Sequence, residues 1–162
     1  MDNHIIVEII AAAGSTLAFG VIFNLKGKKL VYASIGGAIG WAIYILFKYN
    51  GNSDPVSFFY SSVGITVYSE IMARMLKTPV TSTLIASLIP LVPGSGVYFT
   101  MSYAVEHRIQ EATQKGIETL MITIAITMGI VVVSTFSQIY YKFKRYQIIK
   151  RKMKSRRGYK KK

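Results

Sequence analysis

The segment IPLVPGSGVYFT, Ile89 to Thr100, sets Pro90, Pro93, Gly94 and Gly96 close together inside an apolar run. Pro93 has no amide donor and its ring crowds the preceding turn, which frees carbonyls around Ile89 and Pro90. Gly94 and Gly96 let the chain turn and let another group approach the backbone. After Gly96 the sequence VYFTMSYAV returns to helix. A half-helix is therefore expected to begin near Gly94 to Val97, with its unpaired N–H groups facing whatever lies in front. Such an end suits an anion, typically a carboxylate. A plain proline kink is the bland alternative, but two prolines three apart with two glycines go beyond a kink.

Glu70 and Arg74 form the second candidate. They are i,i+4 neighbours on one helix face with the carboxylate on the N-terminal side, the better order for a pair. Ionisable residues within an apolar segment are costly and point to function. A carboxyl withdrawn from water holds its proton more readily, so Glu70 could take and release one. The bland reading is a self-neutralising pair, with Arg74 reaching to the surface. Glu8 reads as a wetted carboxylate near an interface, and Asn24 as packing between helices. Gly36 and Gly40 in GGAIG give small residues four apart, which allow close approach of a neighbouring helix. No Lys-Ser/Thr follows and no strand precedes, so this is not a nucleotide loop. Ser61, Ser62, Thr66, Tyr68 and Ser69 make their segment the most polar of the apolar ones.

The elements that must position these residues are long apolar runs. Five can be marked, each near the roughly 20 residues that cross a bilayer as a helix: Ile5 to Leu25, Leu30 to Tyr49, Val56 to Leu76, Val80 to about Tyr103, and Thr119 to Tyr141. The runs do not alternate, and an open sheet would leave edge groups unpaired in hydrocarbon. The expected fold is all-α: a polytopic membrane protein of five transmembrane helices, the fourth interrupted. Residues 1–141 form the membrane domain and residues 142–162 a basic cytoplasmic tail. EHRIQEATQKGIE, before the fifth segment, reads as a solvated connector. The first segment lacks the basic start of a signal peptide and reads as a retained span.

Charge placement agrees. The chain has 162 residues and a formal net charge of +13, but 12 of its 20 Lys and Arg residues fall between Lys142 and Lys162. With the N-terminus outside, the basic loops at Lys26–Lys29 and Arg74–Lys77 and the basic tail all lie in the cytoplasm, as the positive-inside rule asks. Alone, the tail would read as a nucleic-acid arm; beside a span, contact with anionic lipid is the better reading, and no nucleic-acid partner is called for. There are no cysteines, which excludes disulfides, thiolate metal sites and Cys nucleophiles. His4 and His107 make no ligand pair. No nucleophile–base set appears, so neither catalysis nor a cofactor or metal is expected.

PLVPGSGVY resembles the Pro-x-x-Pro-Gly-x-x-x-Tyr element of the threonine/serine exporter family, falling on Pro90, Pro93, Gly94 and Tyr98. FGVIFN (Phe19–Asn24), GGAIGW (Gly36–Trp41) and SEIMARMLKTP (Ser69–Pro79) are similar to the ends and Gly-rich centre of that family's first three spans. The similarity runs in order from about Ala11 to Thr135. It implies the small five-span subunit of a ten-helix transporter, completed by a larger membrane subunit; the larger half's His-Asp motif is absent. It also implies proton-motive-force-coupled export of small hydroxy amino acids or related small carboxylates across a bacterial cytoplasmic membrane. On that reading Pro90, Pro93, Gly94, Ser95, Gly96 and Tyr98 bind substrate: amides and the Ser95 hydroxyl face a carboxylate and Tyr98 closes one side. Glu70 and Arg74 are the proton-coupling candidates. The rival readings are a passive or homo-oligomeric pore, and a non-transporting membrane protein whose tail binds lipid or a partner.

Overall fold

A computed structural model describes residues 2–159, and among them every regular element is helical. Helix α1 covers Asp2–Ile22, α2 Lys28–Tyr49 and α3 Asp54–Met75. Helix α4, Val80–Leu88, runs through a 3₁₀ turn at Ile89–Leu91 into α5, Gly94–Val105, and α6 covers Ile109–Tyr159.

Three segments are long and apolar enough to cross a bilayer: His4–Ile22, Lys28–Tyr49 and Ile109–Lys144. The pair Val80–Leu91 and Gly94–Val105, bent by 49°, makes a fourth if counted as one broken span. Helix α3 has the length, at 22 residues, but its serines, Asp54, Glu70 and Arg74 leave it less apolar than the others. The expectation of five spans is thus met in three or four segments by composition.

Helix α3 is polar on the face that lies inside. It packs against α2, α4 and α6, and Ser57, Ser61, Ser62, Ile65, Thr66 and Ser69 on it are fully buried. Lipid is as apolar as leucine, so membrane helices are held together by close packing of small residues and by interhelical hydrogen bonds. Both devices are present. Ser61 Oγ donates to the Gly40 carbonyl (2.5 Å), Tyr68 Oη to that of Tyr32 (2.9 Å), Ser87 Oγ to that of Ala33 (2.9 Å) and Ser34 Oγ to that of Ala13 (2.8 Å). The GGAIG stretch of α2 is the knot of this packing. A methyl on Gly36 would meet Ser87 and Tyr68, on Gly37 Thr16, and on Gly40 Ile65. The large apolar side chains, such as Ile6, Val7 and Ile10 on α1 or Leu120, Met121 and Ile124 on α6, stand exposed on the outside.

Two local expectations change. The polar connector before the fifth segment is not separate, because α6 begins at Ile109 and runs unbroken through it. Sequence hydropathy marks where lipid could begin; the helix starts earlier because EATQKGIE contains no proline and its charges pair along the helix, Arg108 with Glu111 and Lys115 with Glu118 (3.0 Å). The same helix continues past Lys142 to Tyr159, so most of the basic tail is helical. Asn24, in turn, is a cap: its φ of 58° places it in the left-handed region. Leu25 N–H donates to the Gly20 carbonyl (2.9 Å) and closes the α1 terminus as a Schellman motif. Lys77 (φ 51°) and His107 (φ 60°) close α3 and α5 in the same way, through Thr78 to Ala73 and Arg108 to Tyr103.

Candidate functional site

The break forms where the prolines and glycines predict it. Leu91 is buried and ends the 3₁₀ turn. Pro93 has φ −76° and ψ 56°, close to an inverse γ-turn, and Gly94 N–H donates back to the Val92 carbonyl at 2.7 Å. The first intrahelical bond of α5 to its cap is Val97 N–H to the Pro93 carbonyl, 3.2 Å. The amides of Ser95 and Gly96 lie between these and have no carbonyl partner among the described residues, as the first turn of a helix dictates.

The six residues expected at the substrate site face different ways. Gly94, Ser95 and Tyr98 are exposed, and a methyl on Gly94 would meet nothing within 4 Å. Gly96 is buried, and what fills the space above its backbone is Thr119 of α6. Pro90 turns the other way, into a groove of about 300 Å³ that it shares with Glu8, Ala11, Ala12, Ser15 and Trp41. Pro93 is half-buried between the two sides.

That groove brings in Glu8, which sequence reasoning left as a wetted carboxylate. Its Oε2 accepts a hydrogen bond from Trp41 Nε1 at 3.1 Å. Glu8, Ala11, Ala12 and Ser15 share a helix face, a pattern that could have been read from their spacing; that Trp41 and Pro90 close the groove could not.

Glu70 and Arg74 lie together near the end of α3. Arg74 Nη2 donates to Glu70 Oε2 at 2.7 Å and to Ser137 Oγ at 3.1 Å on α6. The guanidinium carbon sits over the Tyr141 ring, 3.1 Å from its centroid, a cation–π contact. The Glu70 side chain is 14% exposed and that of Arg74 40%, so the carboxylate is the inner member of the pair. The pair opens into a cleft of about 380 Å³ between α3 and α6. Ser137 and Tyr141 were not anticipated, since only tertiary packing brings them to Arg74.

Exposed apolar helices around a hydroxyl-rich interior, with one helix broken at a proline-glycine turn, define a polytopic helical membrane protein. The chain belongs to a transporter family: the family model described as Threonine/Serine exporter, ThrE, matches residues 8–136, from Glu8 on α1 to Phe136 on α6. No solved structure matches it. Family membership supports a threonine/serine-exporter-like transport role for this membrane protein.

Proposed function

We propose that the chain is the small, five-span half of an exporter of small hydroxy amino acids or related small carboxylates. It works with a larger membrane subunit and is driven by the proton-motive force. The observation that carries this reading is the family match, which takes in every helix from α1 to α6. Helix α3 serves as the fifth span: its 22 residues give about 33 Å, close to the thickness of a hydrocarbon core, and while its serine face is covered by neighbours, its exposed face carries Val56, Tyr60, Val67, Ile71 and Met75. Broken helices of the α4–α5 kind hold substrates in secondary transporters, with half-helix N-termini aimed at anionic groups. The exposed Gly94 and Ser95 at the start of α5 are in position for that role, with Pro90, Pro93 and Tyr98 around them. Gly96 supports the turn from its contact with Thr119. Glu70 carries the coupling proton, and Arg74 is its counter-charge.

The test is threonine and serine export from cells or vesicles containing both subunits, with and without an uncoupler. Export that continues undiminished after the proton gradient collapses would make the protein a passive pore. Glu70→Gln keeps size and hydrogen bonding but cannot release a proton, so it should abolish coupled export, with Arg74→Lys milder. Orientation is tested with a single cysteine in this cysteine-free chain: Lys28→Cys should be inaccessible to a membrane-impermeant reagent outside intact cells. The basic tail anchors the chain at the cytoplasmic lipid surface of the bacterial membrane, and its removal should leave transport in place.

A further inference from the structure

The seam between α3 and α6 is built differently along its length. Around Gly129 the two backbones nearly touch, since a methyl there would lie 2.9 Å from the Phe59 carbonyl. Toward the end from which the basic tail leaves, Val67 and Ile71 of α3 and Val132, Val133 and Phe136 of α6 border the cleft of about 380 Å³. Across that cleft Arg74 makes the one side-chain hydrogen bond between the two helices among the described residues, to Ser137 Oγ. Its guanidinium carbon also lies over the Tyr141 ring. The same group is tied to its own helix: the two Nη2 bonds run 2.7 Å to Glu70 Oε2 and 3.1 Å to Ser137 Oγ. Arg74 is thus a strap with one end on a carboxylate and the other on α6.

We propose that Ser137 and Tyr141 are positioning residues for the Glu70–Arg74 pair, and that through them the charge on Glu70 governs how closely the tail end of α6 is held to α3. With Glu70 ionised, the carboxylate fixes the guanidinium in the cleft by a charge-assisted bond, about twice as strong as a neutral one. There the ring and the hydroxyl of α6 meet it. With Glu70 protonated, the cation keeps only neutral contacts, and a charge without a counter-charge is costly away from water. The Arg74 side chain is already 40% exposed, and long arginine side chains near the end of a span reach for the surface. Its departure removes the strap, while the contact at Gly129 stays as the pivot. Arg74, Tyr140 and Tyr141 are the other titratable groups among the described residues lining the cleft, so no second carboxylate there takes the place of Glu70. The inference rests on Glu70 as the proton carrier and adds how proton binding reaches the helices. The link is reciprocal, so proton and helix position report one another.

The experiment measures distances between paired spin labels by electron paramagnetic resonance, on the full chain in phosphatidylethanolamine–phosphatidylglycerol nanodiscs. One pair, Ile22→Cys with Phe143→Cys, joins exposed positions at the tail end of α1 and α6; the other, Ile6→Cys with Leu120→Cys, joins exposed positions at the opposite end. Glu70→Gln should lengthen the first distance by about 1–2 Å or add a longer component, the scale of helix shifts at interfaces. The second distance should stay unchanged. Tyr141→Leu should act in the same way, and Tyr141→Phe, which keeps the ring, should match the unsubstituted chain. An unchanged first distance in Glu70→Gln, with coupled export lost, overturns the strap and leaves the transport reading standing. A lengthened first distance, with export still stopped by an uncoupler, supports the strap and overturns Glu70 as the proton carrier. Equal change in both pairs marks a general loosening of the bundle, and Tyr141→Phe behaving like Tyr141→Leu removes the ring from the contact; either overturns the positioning role.

Discussion

In the seam between α2 and α3, each glycine has a neighbour's atoms where its own side chain would be; at the start of α5, Gly94 has nothing within 4 Å. Both regions are rich in glycine and hydroxyls, and they use them oppositely. Around α3 small residues bring helices together, and the hydroxyls of Ser61 and Ser87 are spent on carbonyls of the neighbouring helix. At the break, glycine and serine leave amides and a hydroxyl facing outward. Glycine content alone therefore says nothing about function. What separates packing from a binding surface is whether a second helix already occupies the space.

Adding one methyl group in turn to different glycines probes this contrast directly. Gly129→Ala should cost most. Its new methyl would lie 2.9 Å from the Phe59 carbonyl and against the Ser62 hydroxyl, and backbone cannot swing aside. Helix α6 would be pushed from α3, with an expected loss of about 1–3 kcal/mol in thermal or denaturant unfolding of the purified chain in detergent. An unchanged midpoint would mean that α3 and α6 do not meet there.

Gly96→Ala should cost less, about 1 kcal/mol, because its neighbour is the Thr119 side chain, with Cγ2 at 3.1 Å. Thr119 cannot turn away freely, since its hydroxyl donates to the Lys115 carbonyl at 2.7 Å. Adding Thr119→Ala should restore the stability. A loss that persists in the double variant would show that the crowding comes from elsewhere; restored stability without restored export would give Gly96 a role in substrate binding.

Ser87→Ala removes one interhelical bond to Ala33 and should lower stability by about 0.6 kcal/mol, the average for such bonds in a membrane protein. A larger drop would mean that the hydroxyl seam is more cooperative than its separate bonds.

Gly94→Ala should leave unfolding unchanged and weaken export. If it destabilises the chain as Gly129→Ala does, the open surface at the break is filled, and the distinction between the two regions collapses.

Sequence patterns carried the helical class, the apolar segments and the position of the break, because each depends on local chemistry: run length, proline and glycine. The close approach at Gly36 and Gly40 was also visible in their spacing. The partners were not. Thr119 against Gly96, Ser137 and Tyr141 around Arg74, and Trp41 on Glu8 all join residues distant in the chain. The start of α6 at Ile109 was hidden for a different reason, since polar residues with good helix propensity give no hydropathy signal. Asn24 was read as a contact residue because a left-handed cap is usually glycine.

Those caps have a consequence for how the chain is made. Asn24, Lys77 and His107 reverse the chain between α1 and α2, α3 and α4, and α5 and α6. Each pair also packs together. The protein is therefore a row of three helical hairpins, each able to close from neighbouring sequence as it leaves the ribosome. The large contact between α3 and α6 must wait longest, since α4 and α5 have to be synthesised between them. During synthesis, engineered cysteine pairs across α1 and α2 should thus cross-link before pairs across α3 and α6. The grip of Arg74 on Ser137 and Tyr141 would then be among the last contacts to form, and would mark a completed bundle.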